Sequence, residues 1–488
     1  MLFNLLVSAL LAAPSSGGSV QSEIPTPTSA AGHDFATWID DASGSGAFTA
    51  GVANVSAPSV AAVTVADVAG GATAAGTQAP TATESKNQMA NGVGATSSPT
   101  ESKLSSYRVA AANAQDATTA PVADVRYVGP VVISKGGVYS GNWESQIPSV
   151  PVVLINTTEP VIIQNCRLRG RGNLISAVRD STTVTIRDCI GESLNPNLLN
   201  ARKGRFAVFW KPVSVIIENN TMLSTAGVYV NNGNNPTRTI RVRYNRARNI
   251  DGRISDGKGG YLANDFIAQF VQVNNVKASP DVEIAWNEVI NEPRESRVED
   301  NINLYLASGT PESPIRVHNN YIQGAFPLDP ASSKFSGGGI IVDGAAEVLA
   351  DAAGYISIFD NQVVATSNHG ISIAAGHHVD VRGNRAVSSG LLGDGSRVGA
   401  ANVGLYAWNY YKTTGTVFSN VITDNVVGWV NSKGSINNWW FPDCPSSSCF
   451  GNRSIAGPIT VAKEAEEYLL WQDKVKQRGL TLGSSLKP

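Results

Sequence analysis

The stretch "VIIENN", from Val215 to Asn220, has two apolar residues two positions apart and an asparagine three positions after the second. Alternation along a strand puts Val215 and Ile217 on one face, and asparagine is typical of the turn that follows. The pattern recurs as "IRVRYN", "VEIAWN", "IRVHNN", "ISIFDN" and "VDVRGN". Such recurrence predicts a solenoid, in which repeats that cannot bury an apolar face alone stack on one another.

The asparagine marks one position that can be followed through the chain. It falls at Asn220, Asn245, Asn287, Asn320, Asn361, Asn384 and Asn425, and two earlier copies have Cys166 and Cys189 instead. Successive members are 23 to 42 residues apart, so the shortest spacing corresponds to one coil and the longer ones to coils with inserted loops. We expect the strands to stack as parallel sheets about 4.8 Å apart. The asparagines are expected to bond to one another along the stack.

Each coil also contains a further strand after the asparagine turn, as in "NINLYL" from Asn301 to Leu306. The chain ends differently. "VAKEAEEYLLWQDKVKQRG" places apolar residues at helical spacing, and Gly479 can terminate a helix there. The sequence therefore predicts an all-β fold, a single-stranded parallel β-helix, with a C-terminal capping helix over its open end or flank.

Composition divides the chain into four parts. Residues 1–18 contain an apolar run followed by small residues, which is typical of a signal peptide. Residues 19–125 are low-complexity sequence, which predicts a disordered linker. Residues 126–456 carry the repeat, and residues 457–488 hold the C-terminal helix and tail. A signal peptide implies a protein that is secreted, periplasmic or held at the cell surface.

The net charge and the short apolar runs argue against nucleic-acid binding and against a transmembrane helix. The net charge is -2 and no basic block occurs, so nucleic acid is not expected. No apolar run reaches the length of about 18 residues that a transmembrane helix needs. Of the four cysteines, Cys444 and Cys449 can form a short-range disulfide in an oxidising compartment, and no cysteine or histidine spacing resembles a zinc site. We expect a monomer.

The sites of chemistry are expected where loops are longest. The insertion after Asn287 is the most charged, with six charged residues between Glu292 and Asp300, and another long loop follows Asn245. Insertions at one corner of successive coils must form a wall on one side of the solenoid. Beside that wall lie the outward positions of the further strands, which we predict to bind a polysaccharide because rings stack on sugar faces. These positions are Tyr229, Asn303, Tyr305, Asp343, Tyr406 and Trp408.

The repeat and its asparagines, over about residues 128–427, resemble the right-handed parallel β-helix (pectin-lyase-like) superfamily. That superfamily includes pectate, pectin and alginate lyases, polygalacturonases and polysaccharide epimerases. "SNHGISIAAG" is similar to the Gly-His-Gly motif of polygalacturonases, and "NEPRESR" is similar to the Arg-x-Pro-x-x-Arg motif of pectate lyases, with its last arginine one position late. The resemblance implies the fold and an action on acidic, uronate-containing polysaccharides.

A uronate lyase needs a cation to neutralise the carboxylate, a base and an acid. The catalytic candidates for these roles are Lys258, Arg253, Arg294, Arg297 and Tyr305. Glu295, Glu299 and Asp300 are candidate ligands for Ca²⁺, which prefers carboxylate oxygens. β-Elimination is favoured. Two alternatives stay open, namely an inverting hydrolase that uses two of the carboxylates and a glycan-binding solenoid without catalysis.

Overall fold

The computed structural model describes residues 125–486 and the short strand Ala53–Asn54. Three long parallel sheets run the length of this region, with strands numbered in chain order, and each coil contributes one strand to each sheet. The first sheet contains β1 (Ala53–Asn54), β2 (Val131–Ile133), β5 (Val153–Ile155), β8 (Ile175–Ala177), β12 (Ala207–Trp210), β15 (Val228–Asn235), β20 (Val271–Val276), β23 (Asp300–Tyr305), β26 (Gly338–Asp343), β29 (His369–Ile373), β32 (Val403–Ala407) and β35 (Trp439–Trp440).

The second and third sheets have eleven strands each. The second contains β3 (Gly137–Tyr139), β6 (Val161–Gln164), β9 (Thr183–Arg187), β13 (Ser214–Glu218), β16 (Thr239–Arg243), β21 (Val282–Ala285), β24 (Ile315–His318), β27 (Gly354–Phe359), β30 (His377–Arg382), β33 (Val421–Thr423) and β36 (Cys449–Phe450). The third contains β4 (Asn142–Ser145), β7 (Arg167–Gly170), β10 (Ile190–Ser193), β14 (Thr221–Leu223), β17 (Arg246–Arg248), β22 (Glu288–Ile290), β25 (Tyr321–Ala325), β28 (Gln362–Thr366), β31 (Arg385–Ser388), β34 (Val426–Trp429) and β37 (Arg453–Ser454).

This architecture confirms the predicted parallel β-helix. Each coil has three strands, one more than the two that the sequence pattern required, because a short third-sheet strand lies between the asparagine turn and the next first-sheet strand. The predicted leader, residues 1–18, and the predicted linker lie outside the described residues, except for Ala53–Asn54, which pairs with β2. In the part of the chain that the structure describes, no helix is long and apolar enough to span a membrane.

The core is built from the alternating residues that defined the repeat. Val215 and Ile217 are fully buried, and so are their equivalents in the neighbouring coils. The register is kept from strand to strand, with Val215 beside Ile240 and Ile217 beside Val242. Burial of an aliphatic side chain stabilises the fold by about 1.5–3 kcal/mol, so the stacked apolar rows are its main support.

The asparagine ladder is confirmed and extends one residue further than predicted, to Asn452. Each side-chain amide donates to the side-chain oxygen of the next asparagine, from Asn220 to Asn245 at 3.0 Å and finally from Asn425 to Asn452 at 2.8 Å. The residue before the asparagine adopts the left-handed backbone conformation, as at Tyr244 and Trp286. Cys166 and Cys189 are buried at the start of the ladder as free thiols.

Removing one ladder amide is expected to destabilise the fold. The oxygen of Asn287 accepts from the side chain and the backbone N–H of Asn245, at 3.0 and 3.1 Å, so Asn287→Ala leaves two buried donors unpaired. We expect a loss of about 3 kcal/mol in the free energy of unfolding, measured by urea denaturation. Asn156→Ala, at an exposed asparagine, is the control. Equal stability of the two variants would show that the ladder is dispensable.

The C-terminal helix α1 (Val461–Gln477) lies on the flank of the solenoid over the third sheet, and not over its open end. Glu467 accepts two bonds from Arg385, at 2.6 and 2.7 Å, and Trp471 donates to the carbonyl of Asn319 at 2.8 Å. The helix ends at Gln477, and Gly479 takes a positive φ as predicted. Leu469 is 42% exposed, because the buried face of the helix is formed by Glu464, Glu467 and Trp471.

Helix docking is expected to weaken with rising pH. Glu464 is buried and its carboxylate accepts from the backbone N–H of Ser389 at 2.6 Å, and burial raises its pKa to about 7. A raised carboxyl pKa contributes stability that is present below the ordinary value near 4.5 and is lost as pH rises through 7. Amide exchange of α1 should therefore be faster at pH 8 than at pH 5, after correction for intrinsic exchange. Glu464→Gln should remove this dependence, and its persistence would assign it to another group.

Candidate functional site

One face of the first sheet gathers the outward polar and aromatic side chains of successive coils. The strands pair in register, so these side chains form three columns, which we call the first-sheet face. The first column is Asp300, Gly338 and His369. The second is Tyr229, Gln272, Asn303, Ile341, Ser372 and Tyr406. The third is Asn231, Asn274, Tyr305 and Asp343.

Asp300 and His369 form a pair across an intervening coil. The Nε2 atom of His369 lies 3.1 Å from Oδ1 of Asp300, although the two residues are two strands apart. Gly338 occupies the strand between them, and a Cβ atom there would lie 2.3 Å from both Asp300 Oδ1 and His369 Nε2. The ring of His369 also meets Tyr406 edge-on, with centroids 5.4 Å apart. Glycine is therefore required at this position for the pair to form.

Adding a methyl group at Gly338 is expected to separate this pair. Real Cβ contacts do not approach 2.3 Å, so Gly338→Ala must displace the Asp300 carboxylate or the His369 ring. We expect the NMR signals of the His369 ring to move, because its Nε2 loses the contact with the Asp300 carboxylate. Gly393→Ala is the matched control, because nothing lies within 4 Å of a Cβ at that glycine. Unchanged ring signals of His369 in Gly338→Ala would show that the pair does not depend on this glycine.

Asp343 is the second carboxylate of the first-sheet face. It accepts hydrogen bonds from the phenol of Tyr411 and from the backbone N–H of Gly344, both at 2.8 Å. Burial raises its pKa, and the charge of Asp300 adds to this, while the hydrogen bonds from Tyr411 and Asn303 oppose it. Asp343 in the folded protein therefore holds its proton more readily than an aspartate in water does.

The amide of Asn303 lies between the two carboxylates. Its Nδ2 is 3.5 Å from Oδ2 of Asp300, and its amide also lowers the pKa of Asp343. In the strand register Asp300 lies beside Gly338, and Asp343 follows five positions later on the strand of Gly338. The site thus holds two acids of different environment on one surface.

The tyrosines around these acids are hydrogen-bond donors. Burial raises the pKa values of Tyr305, Tyr406 and Tyr411, and the charge of Asp343 raises all three further. Because their phenols keep their protons, Tyr305 is poorly suited to the role of base, and acting as an acid or donor suits it better.

Two of the predicted catalytic arginines are held in ion pairs. Arg253 bonds to both oxygens of the buried Asp251 at 2.9 Å, and its guanidinium lies 4.0 Å from the ring centroid of Tyr261. Arg297 is 2% exposed and bonds to Asp265 and, at 2.6 Å, to Glu299. The sequence predicted that both arginines neutralise a sugar carboxylate. In the structure their positive charges are already paired with carboxylates of the protein itself.

Lys258 and Arg294, the other two predicted cations, are exposed in the inserted loops. Lys258 lies at the tip of the hairpin of β18 (Arg253–Asp256) and β19 (Tyr261–Asp265), which joins β11 (Leu199–Arg202) in a small antiparallel sheet. Arg294 lies in the loop after β22 with a positive φ. Neither forms an ion pair among residues 125–486. The predicted set Lys258, Arg253, Arg294, Arg297 and Tyr305 is therefore divided between the wall and the first-sheet face.

The predicted metal ligands do not form a common site. Glu295 is exposed, Glu299 bonds to Arg297 and to the hydroxyl of Ser336 at 2.6 Å, and Asp300 bonds to His369. Within the described region, no three His, Cys, Asp or Glu side chains form a group that could hold a metal ion. The expectation of Ca²⁺ has no support from this geometry.

The predicted sugar-binding residues share one face but differ in exposure. Tyr229 is 5% exposed, and its phenol oxygen accepts from Asn231 and Asn274 at 3.1 and 3.2 Å. Asn303 is buried, whereas Asp343 and Tyr406 are partly exposed. Trp408 follows β32 and packs against Tyr410 and Trp440, with ring centroids 5.0 and 5.2 Å away. The aromatic row is thus less open than predicted at Tyr229.

Sequence reasoning missed His369 and Tyr411 as partners of the two acids. His369 lies in the segment that is similar to the Gly-His-Gly motif, but its partner Asp300 lies 69 residues away in the chain. Tyr411 lies in the insertion after β32 that folds back onto Asp343. A count of strand register would have paired His369 with Gly338 and Gly338 with Asp300.

Comparison of this chain with protein-family models, with curated proteins and with solved structures found no match.

Proposed function

We propose that this protein is a glycoside hydrolase that holds a polysaccharide on the first-sheet face and cleaves it with Asp343 and Asp300. The observation that carries this proposal is that the first-sheet face holds two carboxyl groups in different environments, Asp300 paired with His369 and Asp343 with a pKa raised by burial. Hydrolysis of a glycosidic bond needs one protonated and one ionised carboxyl group on either side of that bond.

In this proposal Asp343 is the acid. Its raised pKa favours the protonated form, and its proton passes to the glycosidic oxygen as the bond from that oxygen to the anomeric carbon breaks. Asp300, oriented by His369, takes a proton from a water molecule whose oxygen bonds to the anomeric carbon. The products are two sugar chains, with the proton on Asp300 returned to Asp343 through solvent.

The separation of the acids bears on the stereochemistry. Inverting enzymes keep the carboxyl groups about 6.5–9.5 Å apart, whereas retaining enzymes keep them about 5–5.5 Å apart. Because Asp343 lies five positions along its strand from Gly338, the residue beside Asp300, the two acids are not adjacent, and we propose inversion, with the attacking water between them.

β-Elimination on a uronate, which the sequence favoured, has less support. It requires a cation beside the sugar carboxylate, and Arg253 and Arg297 are committed to Asp251, Asp265 and Glu299. Of the four predicted cations, Lys258 and Arg294 are exposed and would supply that charge. A protein that binds glycans without cleaving them remains the second candidate, since the same polar face serves both.

We also propose a family and a cellular location for this protein. We propose that the chain is a distant member of the pectin-lyase-like superfamily, on the support of its three parallel sheets and its asparagine turns. We further propose that it is exported. The disulfide between Cys444 and Cys449 supports an oxidising compartment, where a polysaccharide would be met.

Reducing-end release from a panel of neutral and acidic polysaccharides tests the function. The hydrolase proposal expects new reducing ends on at least one polymer, with no ultraviolet absorbance from an unsaturated product, whether Ca²⁺ or a chelator is present. Appearance of the unsaturated product would replace hydrolysis by β-elimination. Retardation in a polysaccharide gel without any cleavage would leave the binding candidate.

A further inference from the structure

Three copies of the motif Asn-x-Ser/Thr, which marks acceptors of N-linked glycans in exported proteins, lie within residues 125–486. They begin at Asn156, Asn219 and Asn452. A fourth copy begins at Asn54, outside the residues whose side chains are described. The motif alone does not distinguish the three copies, but their surroundings in the fold do.

The copy at Asn219 is covered by the C-terminal tail. The side-chain amide of Asn219 donates to the carbonyl of Thr481 at 2.7 Å. The hydroxyl of Thr221, the third residue of this copy, accepts from the backbone N–H of Ser484 at 3.1 Å. A glycan on Asn219 would therefore have to displace the tail.

The copy at Asn452 begins with the last member of the asparagine ladder. The amide of Asn452 donates to the carbonyl of Ile422 at 2.9 Å, and its oxygen accepts from the side chain of Asn425 at 2.8 Å. The hydroxyl of Ser454, the third residue of this copy, accepts from the side chain of Asn438 at 2.8 Å. A glycan on Asn452 would have to displace the end of the ladder.

The copy at Asn156 is open at both ends. Asn156 and Thr158 are exposed in the turn between β5 and β6, and neither side chain has a hydrogen-bond partner among the described residues. The turn itself is held by its backbone. The N–H of Asn156 donates to the carbonyl of Ile133 at 2.8 Å, and the N–H of Glu159 donates to the hydroxyl of Thr157 at 3.2 Å. An ordered turn thus presents the amide and the hydroxyl of the motif to solvent.

This turn lies far from the candidate site along the first sheet. Five strand spacings separate β5 from β23, the strand of Asp300, which is a distance of about 24 Å. A bulky, hydrophilic glycan on Asn156 would therefore leave the two acids uncovered.

We infer that Asn156, alone among these three asparagines, is the acceptor of an N-linked glycan. In this modification Nδ2 of Asn156 bonds to the anomeric carbon of an oligosaccharide that is carried on a lipid diphosphate. The bond from that carbon to the diphosphate oxygen breaks, the diphosphate leaves with the electron pair, and the amide nitrogen gives up one proton. This inference rests on the proposed export and is independent of the proposed hydrolysis.

Expression of the full chain in a yeast, behind an added secretion leader, tests the inference. The secreted, folded protein is treated with peptide N-glycanase in water enriched with heavy oxygen, which converts each glycosylated asparagine into a labelled aspartate, and its peptides are analysed by mass spectrometry. We expect the label at Asn156 and none at Asn219 or Asn452. An unlabelled Asn156 overturns the inference, and so does a label at either of the other two.

Two neighbouring threonines provide matched variants. Thr158→Ala removes the hydroxyl that the glycan-transferring enzyme requires and is expected to abolish the glycan, whereas Thr158→Ser should keep it. Thr157→Ala leaves the motif intact and should also keep the glycan. Circular dichroism checks the folding of each variant. A glycan that persists in Thr158→Ala overturns the assignment to Asn156.

The inference and the proposed function can fail separately, because the glycan is detected without any polysaccharide substrate. A chain that is glycosylated at Asn156 and cleaves no polymer supports the inference and removes the hydrolase. A chain that cleaves a polymer but leaves Asn156 unmodified supports the hydrolase and overturns the inference. Protein made in a bacterium without the transferring enzyme lacks the glycan, and it is the material for the Asn156→Ala stability control.

Discussion

Asp343→Asn is expected to lower the turnover of a cleaved polysaccharide by about 1,000-fold, because the acid that protonates the glycosidic oxygen is lost. The asparagine keeps the size of the side chain and can still contact Tyr411, which bonds to Asp343 at 2.8 Å. The unfolding midpoint should therefore change little. Reducing-end release measured at several substrate concentrations separates the loss in kcat from any change in KM.

The control for this variant is Asp394→Asn, at an exposed aspartate of the loop after β31. It should keep wild-type turnover. Asp300→Asn is expected to reduce turnover by a similar factor, since the proposal assigns the water-activating role to that carboxylate. Retention of more than a tenth of wild-type kcat in Asp343→Asn would remove Asp343 from the chemistry.

Arg297→Met is expected to have the largest effect on stability, a loss of about 3–5 kcal/mol in the free energy of unfolding. Arg297 is 2% exposed, and its guanidinium bonds to Asp265, to Glu299 and to the carbonyl of Val298. Removing the cation leaves two carboxylates without a counter-charge, which is costlier than the absence of the pair itself. Urea denaturation measures the loss.

Arg294→Met, in the same loop, is the matched control. Arg294 is exposed and has no ion pair among the described residues, so its loss should change the free energy of unfolding by less than about 0.5 kcal/mol. The same variant tests β-elimination, because a lyase that uses Arg294 would lose activity. Equal stability of the two variants would show that the ion pairs of Arg297 do not stabilise the fold.

The fold was predictable because the repeat expresses one physical requirement at every coil. Val215 and Ile217 must both face the core, and Asn220 must bond to its neighbours at a fixed turn, so the pattern survives loops of any length between copies. The third-sheet strands were missed because they have as few as three residues, as in Thr221–Leu223. Strands this short carry too little alternation to be recognised.

The face of the candidate site was predicted, but its chemistry was not. Tyr305, Asp343 and Tyr406 were placed on one surface because outward positions of stacked strands must share a face. Asp300 and His369 can pair because Gly338, on the strand between them, has no side chain. The apolar periodicity of the sequence does not indicate this. The engagement of Arg253 and Arg297 with acids likewise depends on how the inserted loops fold against one another.

Digestion in water enriched with heavy oxygen tests the central claim most directly. A polysaccharide that the protein cleaves is digested in this water, and the products are analysed at once by mass spectrometry. Hydrolysis by Asp343 and Asp300 predicts one heavy oxygen at the new reducing end for each bond cleaved, and no such product with Asp343→Asn. Products that carry no heavy oxygen and contain a double bond would contradict the claim.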